Sequence, residues 1–221
     1  MKKDQKEIFL SNEGNSWFQR NHLHHDENHL TKDPVVNAFK SLHRIPNKVL
    51  EIGCSDGYRL NYLYKNFNIN AFGIDPSHDG IEAGKKKFPN LNLSVGTADK
   101  LKFENDSFDL IILGFCLYLC DREDLFKIAM EADRCLQNQG LLLIYDFMPP
   151  FPYKNKYAHS EGVYCYKMDY TKMFSWNPAY TSIFTKMYSH NLEGPSLNPD
   201  DNVAVTILSK NLDTAYPNNP F

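Results

Sequence analysis

One feature constrains the fold of this 221-residue chain more than any other: a short apolar segment followed by a glycine-containing turn, together residues 49–57. The turn follows a short apolar segment typical of a buried strand, and Gly53 and Gly57 can adopt positive φ and let a ligand approach the backbone. Asp75 ends the next apolar segment, about one β-α-β step later. We therefore predict two neighbouring parallel strands, with the Asp75 carboxylate beside the turn, where it can accept hydrogen bonds from the hydroxyls of a ribose.

The residues of this turn distinguish two classes of nucleoside cofactor. A dinucleotide site would carry a Gly-x-Gly-x-x-Gly pattern that seats a pyrophosphate at a helix N-terminus. The segment here is Gly-Cys-Ser-Asp-Gly-Tyr-Arg-Leu, which lacks the middle and third glycines. Glu51 and Asp56 also lie next to the ligand position, where carboxylates repel phosphates and attract a cation. NAD is therefore disfavoured, and an NAD oxidoreductase is kept only as an alternative.

The turn resembles motif I of the class I S-adenosylmethionine-dependent methyltransferases, whose usual form is (Asp/Glu)-x-Gly-x-Gly-x-Gly. Glu51, Gly53 and Gly57 match this form, and Ser55 stands where the middle glycine usually lies. The resemblance implies that S-adenosylmethionine is the cofactor and S-adenosylhomocysteine the product. We expect Cys54 and Ser55 to contribute backbone N–H groups to the site.

Asp75 has two interpretations. Because Pro76 and Ser77 follow it, Asp75 could cap a helix, in which proline is common at the first position. With the glycine turn upstream, ribose binding is the favoured interpretation. Pro76 is included with Asp75 among the predicted cofactor-binding residues.

Two later segments are similar to further motifs of the same family. A Gly-Thr-Ala-Asp turn ends at Asp99, and the resemblance implies that this carboxylate accepts from the adenine amine while the Ala98 amide binds a ring nitrogen. The fourth apolar segment resembles the motif that faces the methionine moiety and the methyl group, which implies that Gly114 and Phe115 line the cofactor there. The resemblance covers roughly residues 48–147.

The resemblance does not identify a general base. Many relatives carry a histidine just beyond the fourth strand, where this chain has Leu119 preceded by Tyr118. Tyr118 could bind substrate or lie in the core. The N-terminal histidines include His24 and His25, and no carboxylate or cysteine pattern completes a metal site around them, so no metal is predicted. The candidates for the base are His24, His25 and Tyr118.

Trp17 and Arg20 stand in a Trp-Phe-x-Arg-Asn string near the N-terminus. They could pack within a helix. Alternatively they form a lid, with the aromatic ring near the sulfonium and the guanidinium on the methionine carboxylate. The string resembles the opening of small bacterial methyltransferases found with surface-polysaccharide biosynthesis genes, and we favour the lid.

Alternating strand and helix patterns predict an α/β fold: a Rossmann-like, doubly wound, seven-stranded, mostly parallel sheet with an antiparallel C-terminal hairpin and an N-terminal helical lid. The clearest helix lies between the fourth and fifth strands, with Asp121 as its cap and Gly140 after its end. We predict an N-terminal lid at 1–45 and a catalytic domain at 46–221, with an irregular aromatic insert at about 149–180. The predicted strands are 48–52, 71–75, 91–95, 108–113, 141–146, 182–189 and 203–210.

Composition limits the partners of this protein. A net charge of −3 gives no sign of a surface that attracts polyphosphate, so nucleic acid is not expected. Five cysteines without a Cys-x-x-Cys pair fit a reducing cytoplasm, and neither a signal peptide nor an apolar segment of membrane-spanning length is present in the sequence. We expect a cytoplasmic protein, and its oligomeric state is not predicted.

Together these features predict a methyltransferase that acts on an oxygen or nitrogen of a small molecule, such as a sugar, a nucleotide-sugar or a capsular-polysaccharide precursor. The cationic sulfur makes the methyl group electrophilic, so alignment of the acceptor supplies much of the catalysis. Protein or RNA methylation is less favoured. A non-catalytic S-adenosylmethionine-binding subunit is the alternative from another class, because the usual histidine is missing.

Overall fold

The structure is a computed structural model that describes residues 4–22, 27–190 and 196–219, with only the backbone described at residues 27 and 28. His24 and His25, two of the predicted catalytic candidates, lie outside these residues. None of the helices within the described ranges is long and apolar enough to span a membrane.

The described part of the chain contains one large sheet of seven strands and one hairpin. The large sheet has the order β3-β2-β1-β4-β5-β9-β8, and the hairpin pairs β6 with β7. The strands are β1 Lys48–Ile52, β2 Asn70–Asp75, β3 Asn92–Val95, β4 Phe108–Gly114, β5 Leu136–Phe147, β6 Tyr153–Lys156, β7 Tyr164–Lys167, β8 Tyr180–Ser189 and β9 Asn202–Lys210.

Helices cover the sheet and precede it. The α-helices are α1 Gln5–Ile8, α2 Gly14–Asn21, α3 Glu27–Lys32, α4 Pro34–Lys40, α5 Tyr58–Phe67, α6 His78–Lys87 and α7 Leu125–Cys135. A π-helical turn, Phe9–Glu13, joins α1 to α2. The fold therefore begins with a helical segment ahead of the first strand, as predicted.

Strands β1 to β5 pair in parallel with one another, whereas β9 runs antiparallel to both β5 and β8. The predicted mostly parallel sheet with an antiparallel C-terminal hairpin is confirmed. The chain winds outward in both directions from β1, so the carboxyl ends of β1 and β4 flank the switch point, where ligands bind in open α/β sheets.

The core lies on both faces of the sheet, which explains why the central strands are almost entirely apolar. Successive residues of β4 point to opposite faces, and both faces are buried: Leu110 and Ile112 belong to the cluster under α4 and α5, and Ile111 and Leu113 to the cluster under α7. A strand buried on both sides cannot alternate with polar residues.

Two local predictions about the fourth crossover were wrong. Helix α7 ends at Cys135 and β5 begins at Leu136, so Gly140 lies inside a strand instead of after a helix. The pairing of β5 with β4 shifts its register between Phe108 and Leu110, and Gln139, at φ 63°, lies among the extra residues of β5 at this irregular step. Asp121 precedes a 3-10 turn, Arg122–Asp124, and its side chain makes no capping hydrogen bond.

Candidate active site

A cavity opens at the carboxyl ends of β1, β2 and β4 and is covered by the N-terminal helical segment. Seven residues predicted to bind the cofactor line it: Trp17, Gly53, Asp75, Pro76, Ala98, Asp99 and Phe115. Six other predicted residues are not in its lining: Arg20, Glu51, Cys54, Ser55, Gly57 and Gly114. The structure thus brings residues of all three sequence motifs to one cavity, together with an aromatic residue of the N-terminal segment.

The glycine turn has the conformation expected of it. Gly53, Ser55 and Gly57 have φ values of 80°, 54° and 76°. A side chain at Gly53 would meet Cys116 at 2.8 Å, so this glycine is required by both conformation and space. Sequence reasoning expected the amides of Cys54 and Ser55 to face a ligand. In this structure the Cys54 amide donates to the Ile74 carbonyl at 3.1 Å, and that of Ser55 donates to Asp75.

Asp75 lies between the turn and the next helix. Its carboxylate accepts hydrogen bonds from the backbone N–H groups of Ser55 and Ser77, each at 2.8 Å. Ser77, not Asp75, caps α6, because its hydroxyl accepts from the Gly80 amide at 3.0 Å. The alternative interpretation of Asp75 as a helix cap is therefore wrong. Burial raises the pKa of Asp75 to about 6, against the opposing effect of the two N–H donors.

A buried ionic network lies next to the turn, at the carboxyl end of β1. Arg59 binds Glu51 through one terminal nitrogen and Asp33 through Nε, at 3.0 Å for the latter. Glu51 Oε2 is buried and has no hydrogen-bond partner in the described part of the chain. Burial raises the pKa of Glu51, and the Arg59 guanidinium opposes this rise. A side chain on Gly114 would meet Glu51 Oε1 at 2.7 Å, so Gly114 provides space for this carboxylate.

Asp99 lines the cavity and is paired there with Lys6, a residue that the sequence did not predict to belong to the site. Lys6 Nζ lies 2.6 Å from Asp99 Oδ2 and 3.0 Å from Asp124 Oδ2. Burial acts to raise the pKa of Asp99, but hydrogen bonds from Lys6 and Thr97 outweigh it and hold that pKa below its usual value. An isolated lysine in a polar N-terminal segment carries no sequence signal that would have identified it.

Phe115 lies where β4 ends, at a φ of 59° that is uncommon for a bulky residue. Its ring packs against Tyr118, Tyr145, Phe147 and His190, with centroids 4.9–5.1 Å apart. This aromatic cluster surrounds the cavity wall nearest the end of β4. Nothing in the sequence relates His190 to Phe115, from which it is separated by 74 residues.

Tyr118 is 8% exposed and forms part of the core. Burial raises the pKa of its phenol well above the usual value, although the Trp17 indole donates a hydrogen bond to it. The phenol therefore stays protonated at neutral pH, which does not suit a general base. The Asp146 carboxylate fixes the adjacent backbone by accepting from the amides of Leu117 and Tyr118 at 2.9 and 3.3 Å.

The N-terminal segment is fastened over the cavity at several points. The Gln5 side chain donates to the Leu119 carbonyl at 2.8 Å and accepts from the Tyr164 amide at 2.7 Å. Arg20 contacts Glu13 and the Tyr157 hydroxyl, at 2.5 and 3.0 Å, and so links α2 to the insert that carries the hairpin. Trp17 lines the cavity, whereas Arg20 is not in the lining and its guanidinium is bound to Glu13 and Tyr157.

Comparison with known proteins agrees with this geometry. Residues 49–140 match the family model described as a methyltransferase domain. The matched segment is less than half of the chain. The match includes the glycine turn, Asp75, Asp99 and the end of β4, and it stops before the insert and the C-terminal hairpin.

The similarity to curated proteins covers less than half of this chain and less than half of each relative. The ubiquinone/menaquinone biosynthesis C-methyltransferase of Campylobacter jejuni is 29% identical over 108 residues, which are 45% of this chain and 44% of that protein. The demethylmenaquinone methyltransferase of Thermotoga maritima is 28% identical over 106 residues, 48% of this chain and 45% of that protein. The chain thus spans less than half the length of these relatives.

Solved structures resemble this chain in fold over most of its length, although their sequence identity to it is low. A 1,6-didemethyltoxoflavin-N1-methyltransferase from Burkholderia thailandensis, solved with that compound and S-adenosylhomocysteine, has a TM-score of 0.68 and 14% identity over 92% of this chain and 88% of its own. A putative methyltransferase from Haloferax volcanii, solved with a methyltransferase activator, has a TM-score of 0.64 and 17% identity, covering 89% and 95% of the two chains. At these identities the likeness establishes the fold.

Proposed function

We propose that this protein is an S-adenosylmethionine-dependent methyltransferase with a small-molecule acceptor. The observation that carries the proposal is the single cavity that joins the glycine turn, Asp75 and Asp99 at the switch point of a methyltransferase-type sheet. The family match over residues 49–140 supports the same assignment.

The residues present fit S-adenosylmethionine from one end to the other. Asp75 supplies a carboxylate for the ribose hydroxyls, and Asp99 supplies one for the adenine amine. Glu51 is not in the lining, but it directly precedes Ile52 and Gly53, which are, and its buried Oε2, unpartnered within the described residues, suits the ammonium group of the methionine end. A cavity with acids at these positions repels a pyrophosphate, which argues against NAD.

When bound, S-adenosylmethionine supplies an electrophilic methyl group on a cationic sulfur. The protein's task is then to hold the acceptor in line and to keep water out. Phe115, backed by its aromatic cluster, lines the cavity at the end of β4, and Trp17 lines it from the N-terminal segment. Tyr118 does not suit the role of base, so His24 and His25 stay candidates for an oxygen acceptor that must lose a proton.

The acceptor is proposed only as a small molecule. The relatives include a ubiquinone/menaquinone biosynthesis C-methyltransferase, and one structural neighbour is a 1,6-didemethyltoxoflavin-N1-methyltransferase. The aromatic residues Trp17 and Phe115 in the cavity lining suit a flat acceptor as well as a sugar. The predicted link to surface-polysaccharide biosynthesis and the predicted cytoplasmic location both stay predictions.

A thermal-shift series with S-adenosylmethionine, S-adenosylhomocysteine and NAD tests the proposal. Binding to the folded state raises the melting temperature by mass action, so the first two ligands should raise it and NAD should not. A rise with NAD alone would overturn the assignment. Formation of S-adenosylhomocysteine with fractionated small molecules then separates an enzyme from a non-catalytic binding subunit, an alternative kept because Leu119 lines the cavity where relatives carry histidine.

Glu51 should contribute to binding only through the amino-acid part of the cofactor. We expect Glu51→Gln to weaken S-adenosylhomocysteine binding about 10- to 100-fold, because a buried charged hydrogen bond to the ammonium contributes about 1.5–3 kcal/mol. Calorimetry with 5′-methylthioadenosine, which lacks that ammonium, should show no such loss. Asp33→Asn, at the other end of the same Arg59 network, is the control and should leave the ratio of the two affinities unchanged. Equal losses for both ligands would contradict the role of Glu51.

A further inference from the structure

The Lys6 ammonium is hydrogen-bonded to the Asp99 carboxylate, which under the proposed function accepts from the adenine amine. Asp99 Oδ2 is 2.6 Å from Lys6 Nζ, and the Thr97 side chain also donates a hydrogen bond to the Asp99 carboxylate. Asp99 and Lys6 both line the cavity. An adenine amine that donates to Asp99 therefore meets a carboxylate whose Oδ2 already accepts from the Lys6 ammonium.

Lys6 has a second acid within reach. Its Nζ lies 3.0 Å from Asp124 Oδ2, while Lys127 binds the other oxygen of the same carboxylate at 2.9 Å. An ammonium group carries three donors and sits on a flexible stem, so it can leave Asp99 and stay paired with Asp124. The side chain of Lys6 is 29% exposed, which leaves room for this movement.

The backbone around Lys6 is held independently of its ammonium group. Gln5 is bound to Leu119 and Tyr164, and the Lys6 amide donates to Asp121 Oδ2 at 3.3 Å. Farther along the segment, Asn15 Oδ1 accepts from the Ser77 hydroxyl at 3.0 Å. Displacement of the ammonium thus does not require the N-terminal segment to leave the cavity.

From these contacts we propose that Lys6 is an internal competitor of adenine at Asp99 and sets the cofactor affinity of this site. Without ligand, the ammonium bridges Asp99 and Asp124. With the cofactor bound, the adenine amine takes Asp99 and Lys6 pairs with Asp124 alone. The inference rests on the proposed function, because it takes Asp99 as the acceptor for adenine.

Two substitutions with opposite expected effects test this role. Lys6→Met keeps an apolar stem of similar length and removes the competitor, so S-adenosylhomocysteine should bind about three- to tenfold more tightly. Asp124→Asn takes away the acid to which Lys6 retreats, so binding should weaken by a similar factor. Isothermal titration calorimetry on the full chain measures both, and circular dichroism checks that each variant is folded.

A double-mutant cycle assigns the effect to Asp99. In an Asp99→Asn background, where no carboxylate is left to compete for, Lys6→Met should produce no further gain in affinity. Lys127→Met removes a neighbouring charge that does not touch Asp99, and it should leave the affinity close to that of the unaltered protein.

The outcomes separate this inference from the proposed function. If the unaltered protein binds S-adenosylhomocysteine and Lys6→Met leaves the affinity unchanged or weaker, the competitor role is overturned and the cofactor assignment stands. An equal gain in the Asp99→Asn background would also overturn it. If the unaltered protein does not bind S-adenosylhomocysteine at all, the cofactor assignment fails and the role of Lys6 fails with it.

Discussion

Replacing Asp75 with alanine should weaken the binding of S-adenosylhomocysteine by about 100-fold or more. The carboxylate is placed to accept hydrogen bonds from two ribose hydroxyls, and each bond to a charged acceptor contributes about 1.5–3 kcal/mol. The substitution also removes the acceptor for the Ser55 and Ser77 amides, which hold the turn and the start of α6 beside the ligand. Calorimetry at neutral pH measures the loss, and an affinity within fivefold of the unaltered protein would show that the ribose binds elsewhere.

The same carboxylate should make cofactor affinity depend on pH. Because burial raises the pKa of Asp75 to about 6, the group is largely protonated at pH 5 and ionised at pH 7. The ionised form is the better acceptor, so affinity should rise with pH through this range, approaching tenfold per unit below the pKa. Asp75→Asn has no proton to lose there and should show a lower, flat profile. A profile that is the same in both proteins would contradict the assignment.

Gly84→Ala should destabilise the protein by about 2 kcal/mol, although alanine is the better helix former by about 1 kcal/mol. A methyl group at this position of α6 would lie 2.2 Å from the carbonyl oxygen of Asp56, inside the glycine turn. The methyl group is fixed to the backbone of α6, and the Asp56 oxygen belongs to the backbone of the turn. Neither can therefore move without shifting the helix or the turn. The melting temperature should fall by about 4–8 °C in differential scanning calorimetry.

Gly96→Ala provides the matched control for stability. A methyl group there would meet Ile74 at an ordinary distance of 3.7 Å, so the melting temperature should change little. An unchanged melting temperature for Gly84→Ala would contradict the prediction, because it would show that the helix and the turn can separate without cost.

The sheet was predictable because its central strands are buried on both faces. The first predicted strand has the bounds of β1, and the predicted fourth strand differs from β4 by one residue. The pattern failed where local signals compete. The glycine at 140 suggested a helix end, but pairing with β4 draws the chain into β5 from Leu136 onward. The hairpin of β6 and β7 was missed because each strand has only four residues and β6 alternates between half-buried and exposed residues.

The site was predictable where the chain repeats a pattern shared by many proteins, and not where it depends on contacts distant in sequence. Asp75 and Asp99 belong to local motifs, so their positions relative to the glycine turn follow from the strand order. Lys6 is separated from Asp99 and Asp124 by most of the first half of the chain, and Gly84 meets Asp56 only after α6 packs on the turn. Such pairings arise from tertiary packing and leave no periodicity in the sequence.

The hydroxyl of Tyr157 has a consequence for the catalytic cycle. It touches both Glu13 and Arg20, at 3.0 Å each, and so bridges the N-terminal helices and the insert on one side of the cavity. Under the proposed function, spent cofactor must leave and fresh cofactor must enter once in every turnover. If the cofactor passes beneath this cover, the rate at which these contacts break and re-form sets an upper limit on kcat, whatever the speed of methyl transfer itself.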